Sequence, residues 1–351
     1  MTDELPPPRR RRPRYPGTHP RRFDEKYKEL APEAHPEILE QVRARGQTPA
    51  GQHRPVLARE VLEALAPRPG DRGVDATLGW GGHAELLLPT LRPGGTLLAL
   101  DADPLELPKT EARLRALGFG AEELKVRRTN FASLPAVLQE AGWPEGADFI
   151  FADLGVSSMQ LDDPVRGFSL KADGPLDMRM NPRRGLSAAE WLTRASAAAL
   201  ESALRDHADE PDAALLARAL AGRNPAIATT GALAAAVREM ILPLRGAEEA
   251  QRAVRRVFQA IRIAVNEEFS ALDSLLRAIP TALKAGGRVA MLTFHSGEDR
   301  RVKKAFQEGL RSGLYADISH EVIRASMAEQ RANPRSSPAK LRLAVKATAQ
   351  S

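Results

Sequence analysis

Apolar positions along this chain follow two periods. Short runs at Gly73 to Thr77, Gly95 to Asp101, Leu124 to Arg128 and Asp148 to Asp153 read as strands, and the stretches between them carry helical spacing. Strand and helix in alternation predict βαβ units, hence a parallel sheet covered by helices on both faces. An apolar-periodic helix opens this body at His53-Arg54-Pro55-Val56-Leu57 and runs to about Leu65.

The alternation stops near Asp163. From there to Gly246 no convincing strand is visible, and Ser187 to Arg205 and Pro211 to Leu220 read as Ala-, Leu- and Arg-rich helices, broken by Asn224-Pro225. An amphipathic helix from about Val257 to Ile279 leads into a returning strand at Gly287 to Phe294, with two more strand candidates at Tyr315 to Ile323 and Leu341 to Lys346. The pattern predicts one α/β domain built from residues 51–162 and 247–351 and interrupted by an all-helical insertion at 163–246. Residues 1–50 stand apart as a Pro/Arg-rich arm and linker, largely disordered, polar and in part helical from 23 to 50.

Charge sharpens that division. The 351 residues carry a formal +6, but residues 1–22 hold seven arginines against Asp3 and Glu4, so the arm supplies a surplus of five. Six prolines in the same stretch deny it a helix or a ladder. It reads either as an electrostatic arm for nucleic acid or ribosome or as a solvated leader. An apolar fraction of 43% with 27% charge describes a folded body rather than a disordered chain. The absence of cysteine removes disulfides, thiolate catalysis and cysteine metal sites. No run approaches the roughly 18 apolar residues of a membrane helix, and no apolar signal core follows the basic start, so the expected location is cytoplasmic.

Chemistry gathers at the strand ends. The first strand runs into Asp75-Ala76-Thr77-Leu78-Gly79-Trp80-Gly81-Gly82-His83, a glycine loop opening a helix. The second ends at Asp101-Ala102-Asp103-Pro104, where Rossmann-type folds place the acid that binds a ribose diol. Together they favour a nucleoside cofactor without choosing between NAD and S-adenosylmethionine. A strict G-x-G-x-x-G is missing, since Ala84 takes the third position and His83 intrudes where a pyrophosphate needs bare backbone, which tilts the reading to a cofactor without pyrophosphate. The fourth strand ends in Asp153-Leu154-Gly155-Val156-Ser157-Ser158-Met159-Gln160-Leu161-Asp162, and a dense polar segment follows through Arg166-Gly167-Phe168-Ser169 and Asp173 to Met180.

In order, DATLGWGGH, DADP, Asn130-Phe131, DLGVSSMQLD, RGFSL, DGPLDMRM, FQAIRIAVNEE, GGRVAMLTFHSGEDRRVKK and NPRSSPAKLR resemble the bacterial 16S ribosomal RNA (cytosine-N4)-methyltransferase family, from about His53 to Arg342. The resemblance implies a Rossmann-like S-adenosylmethionine-dependent methyltransferase fold with an inserted helical domain. It implies methylation of the exocyclic N4 of a decoding-centre cytidine in 16S ribosomal RNA, on the RNA or the small ribosomal subunit. Carried onto this sequence, the cofactor contacts are Gly81, Gly82, His83, Asp101, Phe131, Asp153 and Gln160. No metal is required.

Asp153 and His295 are the expected catalytic residues, the first as acceptor for the N4 hydrogens, the second orienting the base or serving only structure. Phe168 and Phe294 are candidates for stacking on the base, or core residues. Arg166, Arg179 and Arg262 lead a set of RNA-facing cations that also includes Lys303, Lys304, Arg335 and Lys340. The sequence departs from the family's usual FHSLEDR at Gly297, from a YGEE-like segment at His207-Ala208-Asp209-Glu210, and from a HPATR-like segment at Ala250 to Arg255. The rival functions are a nicotinamide-dependent dehydrogenase, which has no use for an RNA surface, and a non-catalytic ribosome-assembly factor. A DNA or protein methyltransferase is disfavoured by the missing Pro-Pro-aromatic motif.

Overall fold

The computed structural model describes residues 55–221 and 227–348; the basic arm, the linker after it and the Asn224-Pro225 break lie outside the described residues. In chain order the elements are α1 (Ala58–Leu65), β1 (Arg72–Asp75), α2 (Gly82–Thr90), β2 (Thr96–Asp101), α3 (Leu107–Ala116), β3 (Leu124–Arg128), α4 (Leu134–Glu140) and β4 (Ala147–Asp153). They continue with α5 (Ser158–Asp162), α6 (Ala188–Arg194), α7 (Ala197–Ala208), α8 (Ala213–Leu220), α9 (Thr230–Asn266), α10 (Glu268–Ala282), β5 (Leu283–Thr293), α11 (Ser296–Arg311), β6 (Tyr315–Ile318), α12 (Met327–Ala332) and β7 (Lys340–Lys346).

The strands form one seven-stranded sheet in the order β3-β2-β1-β4-β5-β7-β6. The first five pair in parallel, and β7 enters antiparallel between β5 and β6. This is the Rossmann-like methyltransferase arrangement; the antiparallel β7 separates it from an all-parallel doubly wound sheet.

Alternation along the strands builds the two faces. Val74, Leu98, Leu100, Ile150, Ala152, Val289 and Met291 meet α4, α10 and α11 on one side. Their neighbours Leu97, Ala99, Phe149, Phe151, Ala290 and Leu292 meet α1, α2 and α3 on the other. A third apolar cluster joins Phe168, Leu176 and Met178 to α6, α7, α8 and much of α9. Within the described part of 163–246 the strand-like pairing is a single bridge between Pro175 and Thr229.

Three helix and strand readings change. The helix expected from Val257 to Ile279 is two: α9 ends at Asn266 and α10 starts after Glu267, whose φ is 51°. Beside the break the Asn266 side chain donates to the Met178 carbonyl and accepts the Met180 N–H, each at 2.7 Å, which ties the end of α9 to that upstream segment. The stretch Ser187 to Arg205 is likewise divided, because Ser196 caps a new helix by accepting the Ala199 N–H. Strand β6 stops at Ile318, and Ile323 makes only an isolated bridge to Leu341.

Candidate cofactor and methyl-transfer site

Parallel strands deliver their carboxyl ends to one edge, and here β1, β2 and β4 each end in an aspartate: Asp75, Asp101 and Asp153. The backbone turns from β1 into α2 through Gly79 and Gly81, with φ of 50° and 79°, a region that a side chain disfavours. Gly81 also has no room for one, since a Cβ would lie 3.0 Å from the Thr110 methyl on α3.

The three acids are short of counter-charge. Burial pushes the Asp153 carboxyl up to about 8, with repulsion from Asp75 and Glu298 adding to it. Burial likewise lifts Asp75 to about 7, against a hydrogen bond from the Thr77 N–H and with Asp101 pushing further. Asp101 is raised to about 6 by burial, opposed by the N–H groups of Asp103 and Gly79. Asp101 Oδ2 accepts from Gly79 at 2.7 Å and Oδ1 from Asp103 at 2.8 Å, so the group is fixed while each oxygen keeps a lone pair for a hydroxyl.

His83 sits against this cluster. Its Nε2 bonds the Val56 carbonyl at 3.0 Å, which makes Nε2 the donor and leaves the Nδ1 lone pair facing Asp153 Oδ2 at 3.7 Å. Burial drives its pKa down to about 4, so the ring is neutral. It rests on Phe151 with centroids 4.5 Å apart.

Asp103 is the residue that motif reading passed over. Almost fully buried, it accepts from Gln160 Nε2 and from Arg166 Nη1, each at 2.8 Å, while its other oxygen accepts the Leu105 and Glu106 N–H groups. Gln160 also accepts the Ser157 N–H, the reciprocal half of a capping box that starts α5. Through this carboxylate the loop after β2 is tied to the loop after β4. The available signal was Asp103-Pro104 itself, an acid at a turn with nothing yet to bind.

His295 caps α11: its Nδ1 accepts the Glu298 N–H at 3.4 Å, which assigns the ring hydrogen to Nε2. Nε2 is buried without a hydrogen-bond partner, although Glu298 Oε1 lies 3.2 Å away in poor alignment. Burial works against ionisation of Glu298, yet His295, Arg262 and the Phe294 N–H hold its pKa below the ordinary range. Phe294 is half-buried beside Gly155, 4.0 Å from where a Cβ there would sit. Phe131, in a short turn after β3, is half-buried and packs against the core on the α10 side.

Of the cations expected to face RNA, five are held in ion pairs and two are exposed. Arg166 is 7% exposed, ion-paired to Asp103 and bonded to the Arg179 and Met180 carbonyls, so it is an internal strut rather than a phosphate ligand. Arg179 grips Asp177 and Arg262 grips Glu268 with two bonds each, while Arg335 pairs with Asp162 and Lys340 with Asp299. Motif position could not reveal the Arg166, Arg335 and Lys340 pairs, whose carboxylates lie in other motifs, whereas Asp177 and Glu268 stand in the same segments as Arg179 and Arg262. Lys303 and Lys304 are exposed on α11, the helix that begins at His295. Phe168 is a core residue, 7% exposed, with the Arg166 guanidinium 5.8 Å from its ring.

A sulfonium donor fits this chemistry. Three acids with raised pKa values gain from a positive ligand, Asp101 has free lone pairs for ribose hydroxyls, and the loop through Gly79 to Gly82 keeps its backbone bare. Among the described residues no helix is long and apolar enough to cross a membrane.

Comparison with known proteins agrees. Residues 50–347 match the model of the MraW methylase family. The chain is 46% identical over 352 residues to ribosomal RNA small subunit methyltransferase H 1 of Lachnoclostridium phytofermentans, covering 99% of this chain and 95% of the relative. It is 46% identical to ribosomal RNA small subunit methyltransferase H 2 of Alkaliphilus metalliredigens, over 97% and 98%. The corresponding methyltransferase H of Solidesulfovibrio magneticus is 41% identical, over 83% and 94%. With acids, glycine loop and sheet order all in place, the chain belongs to the MraW methylase family of S-adenosylmethionine-dependent methyltransferases.

Proposed function

We propose that this enzyme methylates the exocyclic N4 of a cytidine in the decoding centre of 16S ribosomal RNA, with the RNA or the small ribosomal subunit as its partner, in the cytoplasm where ribosomes are assembled. The observation that carries the reading is the set of under-compensated acids at the ends of β1, β2 and β4, joined to relatives named for small-subunit ribosomal RNA.

S-adenosylmethionine, when bound, supplies an electrophilic methyl group on a positively charged sulfur. Asp101 holds the ribose hydroxyls, and the glycine loop with Phe131 and His83 lines the rest of the cofactor. Gln160 acts one step back, fixing Asp103 and the loop after β4. The N4 lone pair of cytosine is delocalised into the ring, so the amine attacks only when an acceptor holds its hydrogens and lets nitrogen pyramidalise. Asp153 is that acceptor: burial raises its pKa, a positive charge beside it lowers it, and the carboxylate then takes the proton the methylated nitrogen sheds. His295 offers the base the Nε2–H that lies 3.2 Å from Glu298 Oε1, and Phe294 beside Gly155 offers a face for stacking. Most of the acceleration comes from holding the reacting atoms in line.

On the RNA side Lys303 and Lys304 take the role first expected of Arg166, Arg179 and Arg262. The helices drawn from 163–246 share an apolar cluster with the later part of α9, through Ala250 to Ile261, and this helical side frames the substrate. The test is transfer of labelled methyl to small subunits lacking the modification, with the product nucleoside identified by mass spectrometry. N4-methylcytidine at one decoding-centre position, lost in Asp153→Ala, supports the reading; subunits that bind without acquiring it sink the reading.

A further inference from the structure

Two of the positions at which the sequence departs from the family it resembles, His207 and Gly297, lie against one aromatic ring. That ring is Phe269, on α10 and 6% exposed. The Arg301 guanidinium stacks on it, 3.7 Å from the centroid. The His207 ring meets it edge-on, with centroids 5.3 Å apart at 88°. The His295 imidazole stands 5.8 Å away, tilted by 46°. Gly297 closes the contact by omission: a Cβ there would lie 2.6 Å from Phe269 Cζ and 3.2 Å from His295 Nδ1.

Phe269 is therefore clamped from two sides by Arg301 and His207 while its tip fills the gap that Gly297 leaves beneath His295. The imidazole meets Glu298 at both nitrogens: Nδ1 takes a long hydrogen bond from its N–H, and Nε2 lies 3.2 Å from its Oε1. Rotation of the ring about its χ2 would break that bond and bring a ring carbon to where Nε2 now sits. An aromatic wall pressed against the ring restricts such rotation without spending a polar contact on it. We propose that Phe269 is a positioning residue for methyl transfer: seated in the space Gly297 leaves, it holds the His295 ring in the orientation in which Nδ1 caps α11 and Nε2 carries the hydrogen. The proposal rests on the role given to His295 above.

The tests use the full-length enzyme, methylating small subunits, with kcat and both KM values measured separately. Phe269→Leu withdraws the ring tip, and Gly297→Ala drives it off. Each lowers kcat about tenfold, as sub-ångström misplacement of a catalytic contact does, while KM for S-adenosylmethionine stays within twofold. The two are not additive: Gly297→Ala made on top of Phe269→Leu costs less than it does alone, because the shorter side chain relieves the 2.6 Å clash while the 3.2 Å approach to His295 Nδ1 remains. Nitrogen-15 signals of His295 change from a single Nε2-protonated tautomer to a mixture in both variants. Wild-type kcat in a folded Phe269→Leu enzyme overturns the proposal, as do costs that simply add. If Phe269→Leu fails to unfold cooperatively, Phe269→Met, closer in volume, is used with the same outcomes. His295→Ala separates the two levels: wild-type kcat there removes the role of His295 itself, whereas a crippled His295→Ala beside an intact Phe269→Leu removes only the positioning claim.

Discussion

Arg166 donates to Asp103 at 2.8 Å, with side chains 7% and 2% exposed, so a pair joining two separate motifs is sealed from water. The Arg166 fork also holds the Arg179 and Met180 carbonyls, which makes one guanidinium the joint between the loop after β2 and the segment leading into the helical cluster.

Removing Arg166 leaves Asp103 buried and uncompensated. Arg166→Ala is expected to cost roughly 3–5 kcal/mol of stability, the scale for breaking a buried ion pair, and to weaken S-adenosylmethionine binding. The salt dependence of RNA binding stays at its wild-type slope. Denaturant unfolding and binding titrations at several salt concentrations check both; a reduced slope with intact stability would return Arg166 to the RNA surface.

The raised carboxyls make cofactor affinity pH-dependent. A positive ligand prefers the ionised acids, so affinity for S-adenosylmethionine rises with pH and levels off above about 8, the value for Asp153. The limiting slope is about tenfold per pH unit for each proton released. S-adenosylhomocysteine, with a neutral sulfur, shows a shallower rise. Calorimetry in buffers of different ionisation enthalpy counts the protons; equal slopes for the two ligands would refute the assignment.

The same acid weakens the ligand-free fold at high pH. Asp153 keeps its proton in the folded state up to about 8 but loses it near 3.8 when unfolded, so its effect on stability worsens across that window. Asp153→Asn is expected to match the wild-type Tm near pH 4 and exceed it by several degrees at pH 8, while abolishing methyl transfer. A variant no more stable than wild type at pH 8 removes the electrostatic argument.

Lys303 and Lys304 carry the RNA prediction. Replacing either with Ala lowers the slope of log affinity against log salt by about one, with S-adenosylmethionine binding unchanged. Arg262→Ala, by contrast, acts through Glu268, which it would leave half-buried and unpaired, and shows as lost stability.

Much of the fold was legible because strand and helix write different periods: β2, β3, β4 and β7 fall within a residue of their reading. The break after Asn266 was not, since Glu267 takes a φ of 51° with no glycine to announce it and the apolar spacing runs on across it. In the site the motif aspartates Asp101 and Asp153 stood out by position. Their shared shortage of counter-charge, and the part Asp75 plays in it, depends on distances that spacing along the chain does not encode. Arg166 was unreadable for the same reason: its type and motif were plain, while Asp103, which neutralises it, lies in another motif.

Strand β7 has a temporal consequence. It is the last of the seven strands to be synthesised, yet it occupies an inner position, with β5 on one side and β6 on the other. Until it arrives, β5 presents an open edge and β6 has no strand to pair with, and Asp299 at the start of α11 waits for Lys340 and Arg342. A growing chain therefore holds the cofactor strands early but cannot close the wall beside His295 until Lys340 to Lys346 have emerged. A copy lacking β7 would expose pairing edges to its neighbours.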